Sequence, residues 1–559
     1  PRSTLFPYTT LFRSIIKTRD GLVMTVLKLD GYSFETSDMS EVNARLLGRN
    51  DVVRTLANSR FALTAHIIRR EVQPRIESTF DNVLCRELDE RYDAALSKRR
   101  MFVNDLYLTI IRRPLQGQAG TFDAMLTKVL GRKDAGGESV ARQTALNELR
   151  DAATAVRENL AGYGARQLGV VRREGVWFSE PLEFLVQILN GGIPRPMALP
   201  RMDIADALSL KRLFFGRNAI EVRGAGPEYS RFAAMVAIRE YPAQTGPGSF
   251  DNLLRVPHEF IAAQSFAIVD RPEAAKQIDR VSRQVDMSDE AGSIVAEHLD
   301  DARDELLASE AIYGEHHMTV MCLGRDLAEV GAAVTAVGAA LTDRSVIWVR
   351  EDLNCEPSFW AQLPGNFGYI ARKAIISSKN FAGFTSLHNY PSGRPDGNHW
   401  GPAISVFETT SQTAYYYNHH VRDIGNFTVV GPTGSGKTVF LSFIAAQTQR
   451  IEPRPKLVFV DKDRGAEIFL RALGGQYETL VPGEPTGFNP LSLPDTAPNR
   501  EFLYQLFAFM LRPANGAELT ASEEQVIRNA IAAALSAGPE GRTLKALDRK
   551  STRLNSSHM

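Results

Sequence analysis

The sequence predicts an α/β chain: mixed α+β N-terminal and central regions, then a P-loop nucleotide-binding domain. Three observations predict it. Gly431-Pro432-Thr433-Gly434-Ser435-Gly436-Lys437-Thr438 fits G-x-x-x-x-G-K-[ST] at every fixed position. A β-branched run at 427–430 precedes the motif and an apolar helical stretch at 439–449 follows it, which gives strand, glycine loop and helix in the required order. Upstream, apolar runs of strand length alternate with amphipathic helical stretches, the pattern of mixed layers.

The loop's residue types fit phosphate chemistry. Glycines let backbone N–H groups turn inward around phosphate oxygens. The following helix adds partial positive charge at its N-terminus. Lys437 is placed to reach β- and γ-phosphates, and the Thr438 hydroxyl to ligate Mg²⁺, so ATP with Mg²⁺ is the expected ligand.

The two ends are read separately. Residues 4–14 (TLFPYTTLFRS) and 548–559 (DRKSTRLNSSHM) are identified as in-frame translations of sequencing-library adapters. Residues 1–14 and 548–559 are therefore expected to be artefacts, and the natural segment to run from about 15 to 547, cut at both ends by sequencing. The full chain of 559 residues carries 65 basic and 65 acidic side chains, and without the two ends the balance is 60 against 64. Charge therefore gives no argument for nucleic-acid binding. A 44% hydrophobic share fits a globular protein. No apolar stretch reaches the ~18 residues a membrane-spanning helix needs. Cys85, Cys322 and Cys355 lack metal spacing, which suits packed thiols in a reducing compartment.

In chain order, 15–17 and 22–29 flank Asp20-Gly21, a hairpin signal. Strands are expected at 61–68 and 106–111. The charged stretch 87–99 reads as a helix with a solvated face, 116–137 as a loop, and 140–163 as a long amphipathic helix. These form an N-terminal α+β domain, 15–169. The central domain, 170–390, opens with a helix at 180–189 ending at Asn190-Gly191-Gly192. Strands follow at 219–222, 234–238 and 266–269, then a long two-signed helix at 277–311 that reads as solvent-bridging. Strand 318–323, helix 326–341 and strand 346–350 suggest a mixed layer, and Ala332-Ala333 and Gly338-Ala339-Ala340 predict close packing of that helix. His316-His317 point to opposite faces of a strand, so they read as structural rather than as a metal site. The turn-rich stretch 390–398 marks the boundary to the P-loop domain, 391–547.

In that domain a hairpin at 404–408 and 414–418 leads to the phosphate-loop strand. A core strand is expected at 456–460, ending at Asp461-Lys462-Asp463-Arg464-Gly465. Asp461, Asp463 and Arg464 then form a possible ligand-side cluster, since strand carboxyl ends face the ligand in such sheets. The alternative is a plain strand-to-helix turn with Asp463 as cap. Helices are expected at 501–511 and at 522–535, the latter capped by Ser522.

Several stretches agree on a family. GPTGSGKT, VFVDKDRGAEIFLRALGG and GFNPL, preceded by EHH (315–317), FWAQLPGNF (359–367) and NHHVRDIGN (418–426), together resemble the large ATPases of type IV secretion and conjugation machines, the TrbE/CagE/VirB class. The resemblance covers nearly all of 15–547. It implies a RecA-like motor domain at the C-terminal end and a homo-hexamer at the cytoplasmic face of a bacterial inner membrane. It further implies partnership with other secretion components and ATP hydrolysis that drives pilus assembly and DNA or protein transfer. The sequence departs from that pattern in one respect. No apolar strand ending in Asp-Glu lies between Thr438 and residue 547, although hydrolysis needs such a pair to steady Mg²⁺ and position water. Lys462 stands where the Glu would follow Asp461. The RecA-like domain is thus expected to be truncated before this motif, with Lys437 the only catalytic group present and this chain by itself inactive. Two other readings stand beside the secretion motor: a DNA-pumping ATPase of the FtsK/HerA kind or a coupling protein, and, for this chain alone, a non-hydrolysing nucleotide-binding or docking module.

Overall fold

The computed structural model describes residues 8–12, 14–77, 79–114, 135–208, 210–226, 229–286, 302–306, 308, 310–484, 486–512 and 518–545. Residues 116–134 of the expected loop and part of the helix at 277–311 lie outside them, while 135–137, expected in that loop, already belong to the helix Ala135–Asn159. The chain forms two compact units, 1–459 and 460–559.

A mixed α+β architecture dominates the first unit. Its centre is a thirteen-stranded antiparallel sheet among the described residues. The main order is Tyr8–Phe12, Ile15–Thr18, Val23–Leu29, Met101–Arg112, Phe61–Val72, Phe260–Ile268, Tyr313–Gly324, Arg231–Glu240, Ile220–Arg223 and Arg212–Phe215. Phe61–Val72 pairs with Phe260–Ile268 in register from Ala62↔Ala267 to Arg69↔Phe260, so strands from both sides of residue 169 share one sheet. Tyr8–Phe12 pairs on the sheet's edge with Ile15–Thr18. Arg231–Glu240 lies between Tyr313–Gly324 and Ile347–Arg350, which the helix Leu327–Thr342 connects.

Both faces of the sheet are buried, and period-2 alternation sorts the side chains. Val23, Leu27, Leu63, Leu108, Phe260, Phe266, Met318 and Val320 face one core. That core is capped by helices Met39–Thr55, Ala135–Asn159, Leu327–Thr342 and Ser378–Phe384. Met24, Val26, Ala62, Tyr107, Ile261 and Met321 face the other, covered by Glu180–Leu189 and Cys355–Ala361. Two covered faces explain why these strands read as continuous apolar runs. All three cysteines are buried free thiols.

Most expected elements are present, several of them longer. Burial on both faces lets strands such as Phe61–Val72 run to twelve residues, past the point where sequence alternation fades. The small-faced helix does pack closely: a Cβ on Gly338 would overlap the Trp348 indole. Asp326 caps that helix by accepting from Glu329 N at 2.8 Å.

Two expected strands are not formed. Residues 427–430 and 456–460 join no ladder among the described residues. Val430 is 86% exposed and Val458 87%. A strand is defined by its pairing, and β-branched propensity alone does not supply it.

The second unit holds helices Glu467–Ala472, Ala497–Leu511 and Ala521–Leu535. Its core gathers Leu491, Leu503, Phe507, Ile527 and Ile531. Thr520 rather than Ser522 caps the last helix, through a capping box with Glu523. Asn489 of GFNPL accepts from Leu491 N at 3.1 Å and donates to Arg542 O at 2.6 Å, which seats Leu491 in that core.

Candidate functional site: the phosphate loop and its support

Residues 431–436 turn sharply into the helix Lys437–Thr448. Gly434 (φ +81°) and Gly436 (φ +89°) take the left-handed conformation that side chains resist. Ser435 N donates to Pro432 O at 3.3 Å, and Phe440 N to Gly436 O at 2.9 Å, the first helical turn. Lys437 Nζ folds back over the loop and donates to the carbonyls of Gly431 and Pro432, both at 2.8 Å. The ammonium thus sits at the loop's mouth, beside the orphan N–H groups of the first turn. Thr433, Ser435 and Thr438 are exposed. Backbone N–H groups, the Lys437 ammonium and the exposed Thr438 hydroxyl fit a polyphosphate and its Mg²⁺ in donor type and charge.

The loop's helix is held mainly at its far end. Ile444–Thr448 is buried, and Thr448 Oγ1 donates to Ile444 O at 2.7 Å. His419 Nε2 pairs with the same hydroxyl at 2.9 Å and its ring stacks on Phe427 at 5.4 Å. Burial first, then the neighbouring His420, pushes the His419 pKa down. Phe440 and Phe443 pack on Phe407 of the hairpin Ser405–Glu408/Ala414–Tyr417 at 5.5 and 6.0 Å. This hairpin is hooked onto the main sheet through Phe102 N→Gln412 O at 2.8 Å.

The helix Val83–Leu96 corrects an expectation. Its charges do not all face solvent. Asp89 pairs with Arg450 at 2.6 Å, and the Tyr92 ring lies 4.6 Å from Phe443. Cys85, Asp89, Tyr92 and Leu96 share one face at spacings of four, three and four, a stripe masked in the sequence by the charges around it.

The acidic cluster lies in the second unit. Asp461 Oδ2 accepts from Ala466 N at 2.8 Å and from Tyr477 Oη at 3.3 Å, and so it orders the turn before Glu467–Ala472. That helix has Ala466 at its N-cap and no side-chain cap, so Asp463, which is exposed, does not take the capping part foreseen for it. Arg464 (φ +58°) is bound to Glu467 at 2.7 Å.

Two family stretches turn out to be sheet supports. His316 and His317 do point to opposite faces. His316 Nδ1 meets Tyr241 Oη at 2.8 Å, and His317 Nδ1 meets Ser265 Oγ at 2.8 Å. Burial lowers both pKa values to about 3, which keeps the imidazoles neutral. Gln362 of FWAQLPGNF donates to Thr319 Oγ1 at 2.8 Å, and its carbonyl meets His66 Nε2 at 2.8 Å. Sequence reading missed His66, Gln362 and Arg69, because their partners lie far away along the chain. Among the described residues, no group of three His, Cys, Asp or Glu is placed to hold a metal, and no helix is long and apolar enough to cross a membrane.

Comparison with known proteins agrees with these stretches. A family model described as "CagE, TrbE, VirB family, component of type IV transporter system" matches residues 166–372. Another, "Type IV secretion system ATPase VirB4/TrbE, N-terminal domain", matches residues 14–119. The type IV secretion system protein virB4 of Bartonella henselae is 36% identical over 534 residues, covering 95% of this chain and 67% of that protein. That of Bartonella quintana is 34% identical over 517 residues, 92% of this chain and 65% of the relative. The type IV secretion system protein PtlC of Bordetella pertussis is 31% identical over 554 residues, 95% of this chain and 65% of the relative. The chain thus spans about two thirds of the length of these relatives.

Proposed function

Starting from a chain that belongs to the VirB4/TrbE/CagE family of type IV secretion ATPases, we propose that its phosphate loop binds ATP with Mg²⁺ and that the whole protein is a secretion motor. The observation that carries this reading is the loop itself: two left-handed glycines turn the chain into a helix N-terminus, and the Lys437 ammonium lies over the loop at the Gly431 and Pro432 carbonyls. Lys437 is the group that would neutralise β- and γ-phosphate charge, and Thr438 the hydroxyl that would hold Mg²⁺. When bound, the metal supplies charge stabilisation to the transferring phosphoryl group. The motor would be RecA-like in its C-terminal part. It would work as a homo-hexamer at the cytoplasmic face of a bacterial inner membrane, among other secretion components, and move DNA or protein.

For this chain by itself we favour nucleotide binding without turnover. No apolar run ending in Asp-Glu occurs within 439–547, and the segments on either side of the loop helix join no ladder among the described residues, with Val430, Val458 and Val460 exposed. Asp461, Asp463 and Arg464 remain a possible ligand-side cluster of the motor.

The test is titration of Mg–ATP into the chain and into Lys437→Ala, with phosphate release measured in parallel. Binding by the unaltered chain that disappears in the variant supports the reading. Binding indifferent to Lys437 sinks it, and turnover dependent on Lys437 would overturn the non-hydrolysing assignment. Turnover stimulated by DNA with a steep salt dependence would instead favour a DNA-pumping motor.

A further inference from the structure

The loop helix is tied to the N-terminal region through one buried cation. Arg450 lies two residues past the end of Lys437–Thr448, and its side chain is only 3% exposed. Its Nη2 donates to Asp89 Oδ1 at 2.6 Å and also meets Gln447 Oε1. The guanidinium carbon stands 5.1 Å from the Phe80 ring centre. Nε and Nη1 are buried with no partner among the described residues, and the charge is balanced mainly through Asp89, with Asp93 one turn further along the same helix. Burial pushes the arginine's pKa down, and the two carboxylates oppose that. Arg75 also faces Asp93, at 3.8 Å. Around this ion pair, Tyr92 packs on Phe443 and donates to Val406 O at 2.7 Å, and Arg454 pairs with Asp81.

A buried pair of this kind is a poor source of net stability, because desolvation consumes much of its Coulomb attraction. Its geometric effect is larger. The pair fixes where the far end of the loop helix sits against Val83–Leu96. That helix leads through Leu96 and Met101 into the sheet strand Met101–Arg112, and those two residues share a buried cluster with Val406 and Ala414 of the hairpin. A rigid helix carries any tilt of its N-terminus to its C-terminus. Lys437 opens the loop helix, and Arg450 follows its C-cap Gln449.

We infer that Arg450 is a positioning residue for the phosphate loop, and that Asp89 and the helix Val83–Leu96 form the contact through which nucleotide occupancy is passed to the N-terminal sheet. The inference rests on the nucleotide-binding reading of the loop.

The experiment uses the full chain with Mg–ATP as the probe. Affinity is measured by calorimetry, and amide hydrogen exchange over 83–96 is followed with and without ATP. In the unaltered chain, ATP should slow exchange in 83–96. Arg450→Met and Asp89→Asn should each weaken ATP binding by about threefold to tenfold and abolish that slowing. Arg450→Lys, which keeps a cation within reach of Asp89, should restore part of both. A merely structural role would lower the melting temperature without separating ATP binding from exchange in 83–96. ATP bound by the unaltered chain with no change in 83–96 overturns the inference, and so does full affinity with normal slowing in a folded Arg450→Met. If Arg450→Met fails to fold, the near-isosteric Asp89→Asn carries the same two readouts. No ATP binding by the unaltered chain would instead refute the nucleotide reading, and this inference with it.

Discussion

Gly436→Ala isolates the backbone's share of phosphate binding. Gly436 sits at φ +89° and ψ +16°, immediately before the loop helix. A Cβ built there meets nothing within 4 Å, so the substitution causes no clash and removes no contact. What remains is the cost of holding an L-residue in the left-handed region, about 1–2 kcal/mol. The loop is exposed and can relax to escape that cost, which leaves the binding-competent shape less populated. Apparent affinity falls in proportion to that population, by about fivefold to thirtyfold. Calorimetric titration of Mg–ATP into both proteins measures the ratio. Gly48→Ala is the control. Gly48 lies inside the helix Met39–Thr55 with open space around it. That change should raise stability by about 0.5–1 kcal/mol and leave affinity alone. If Gly436→Ala binds ATP within about twofold of the parent, the left-handed turn is not what presents the N–H groups, and the reasoning from φ to affinity fails.

Three other expectations concern the scaffold. Arg69, fully buried, donates to Val256 O, Leu254 O, Asn104 Oδ1 and Ser411 O at 2.6–3.0 Å. Arg69→Met should cost about 3–5 kcal/mol in urea unfolding, and a loss under ~1 would show that those carbonyls find other partners. Burial lowers the pKa of His66 to about 4, and of His316 and His317 to about 3, from 6.5. The unfolded chain then binds protons the folded one does not, so stability should fall as pH drops from about 6.5 towards 4, by about 2 kcal/mol per histidine at pH 5. Equal urea midpoints at pH 5 and pH 7 would contradict this, and His317→Asn should flatten the slope. Gly338→Ala drives a methyl into the Trp348 indole and should destabilise by about 1–3 kcal/mol, with a blue-shifted or broadened tryptophan emission as a local sign. An unchanged melting temperature would mean that the helix Leu327–Thr342 moves off at little cost.

Sequence alone determined what depends on neighbours in the chain. The phosphate loop was legible because its chemistry is local: glycines, Lys437 and Thr438 within eight residues. The end of the helix Glu180–Leu189 was legible because Asn190-Gly191-Gly192 marks it. The opposed directions of His316 and His317 followed from strand geometry. Tertiary structure decided what depends on partners far away. It placed Asp89 under Arg450, 361 residues later in the chain, and turned a seemingly solvated helix into a support for the loop helix. Strands from both sides of residue 169 were joined in one sheet, because Phe61–Val72 found its ladder in Phe260–Ile268. Residues 427–430 and 456–460 stayed out of any ladder, since strand propensity is local but strand pairing is not. The phosphate loop's motif is written in eight residues, but the buried Arg450–Asp89 pair and the Phe407 and Tyr92 contacts against its helix exist only in the folded chain, because their partners are distant in sequence.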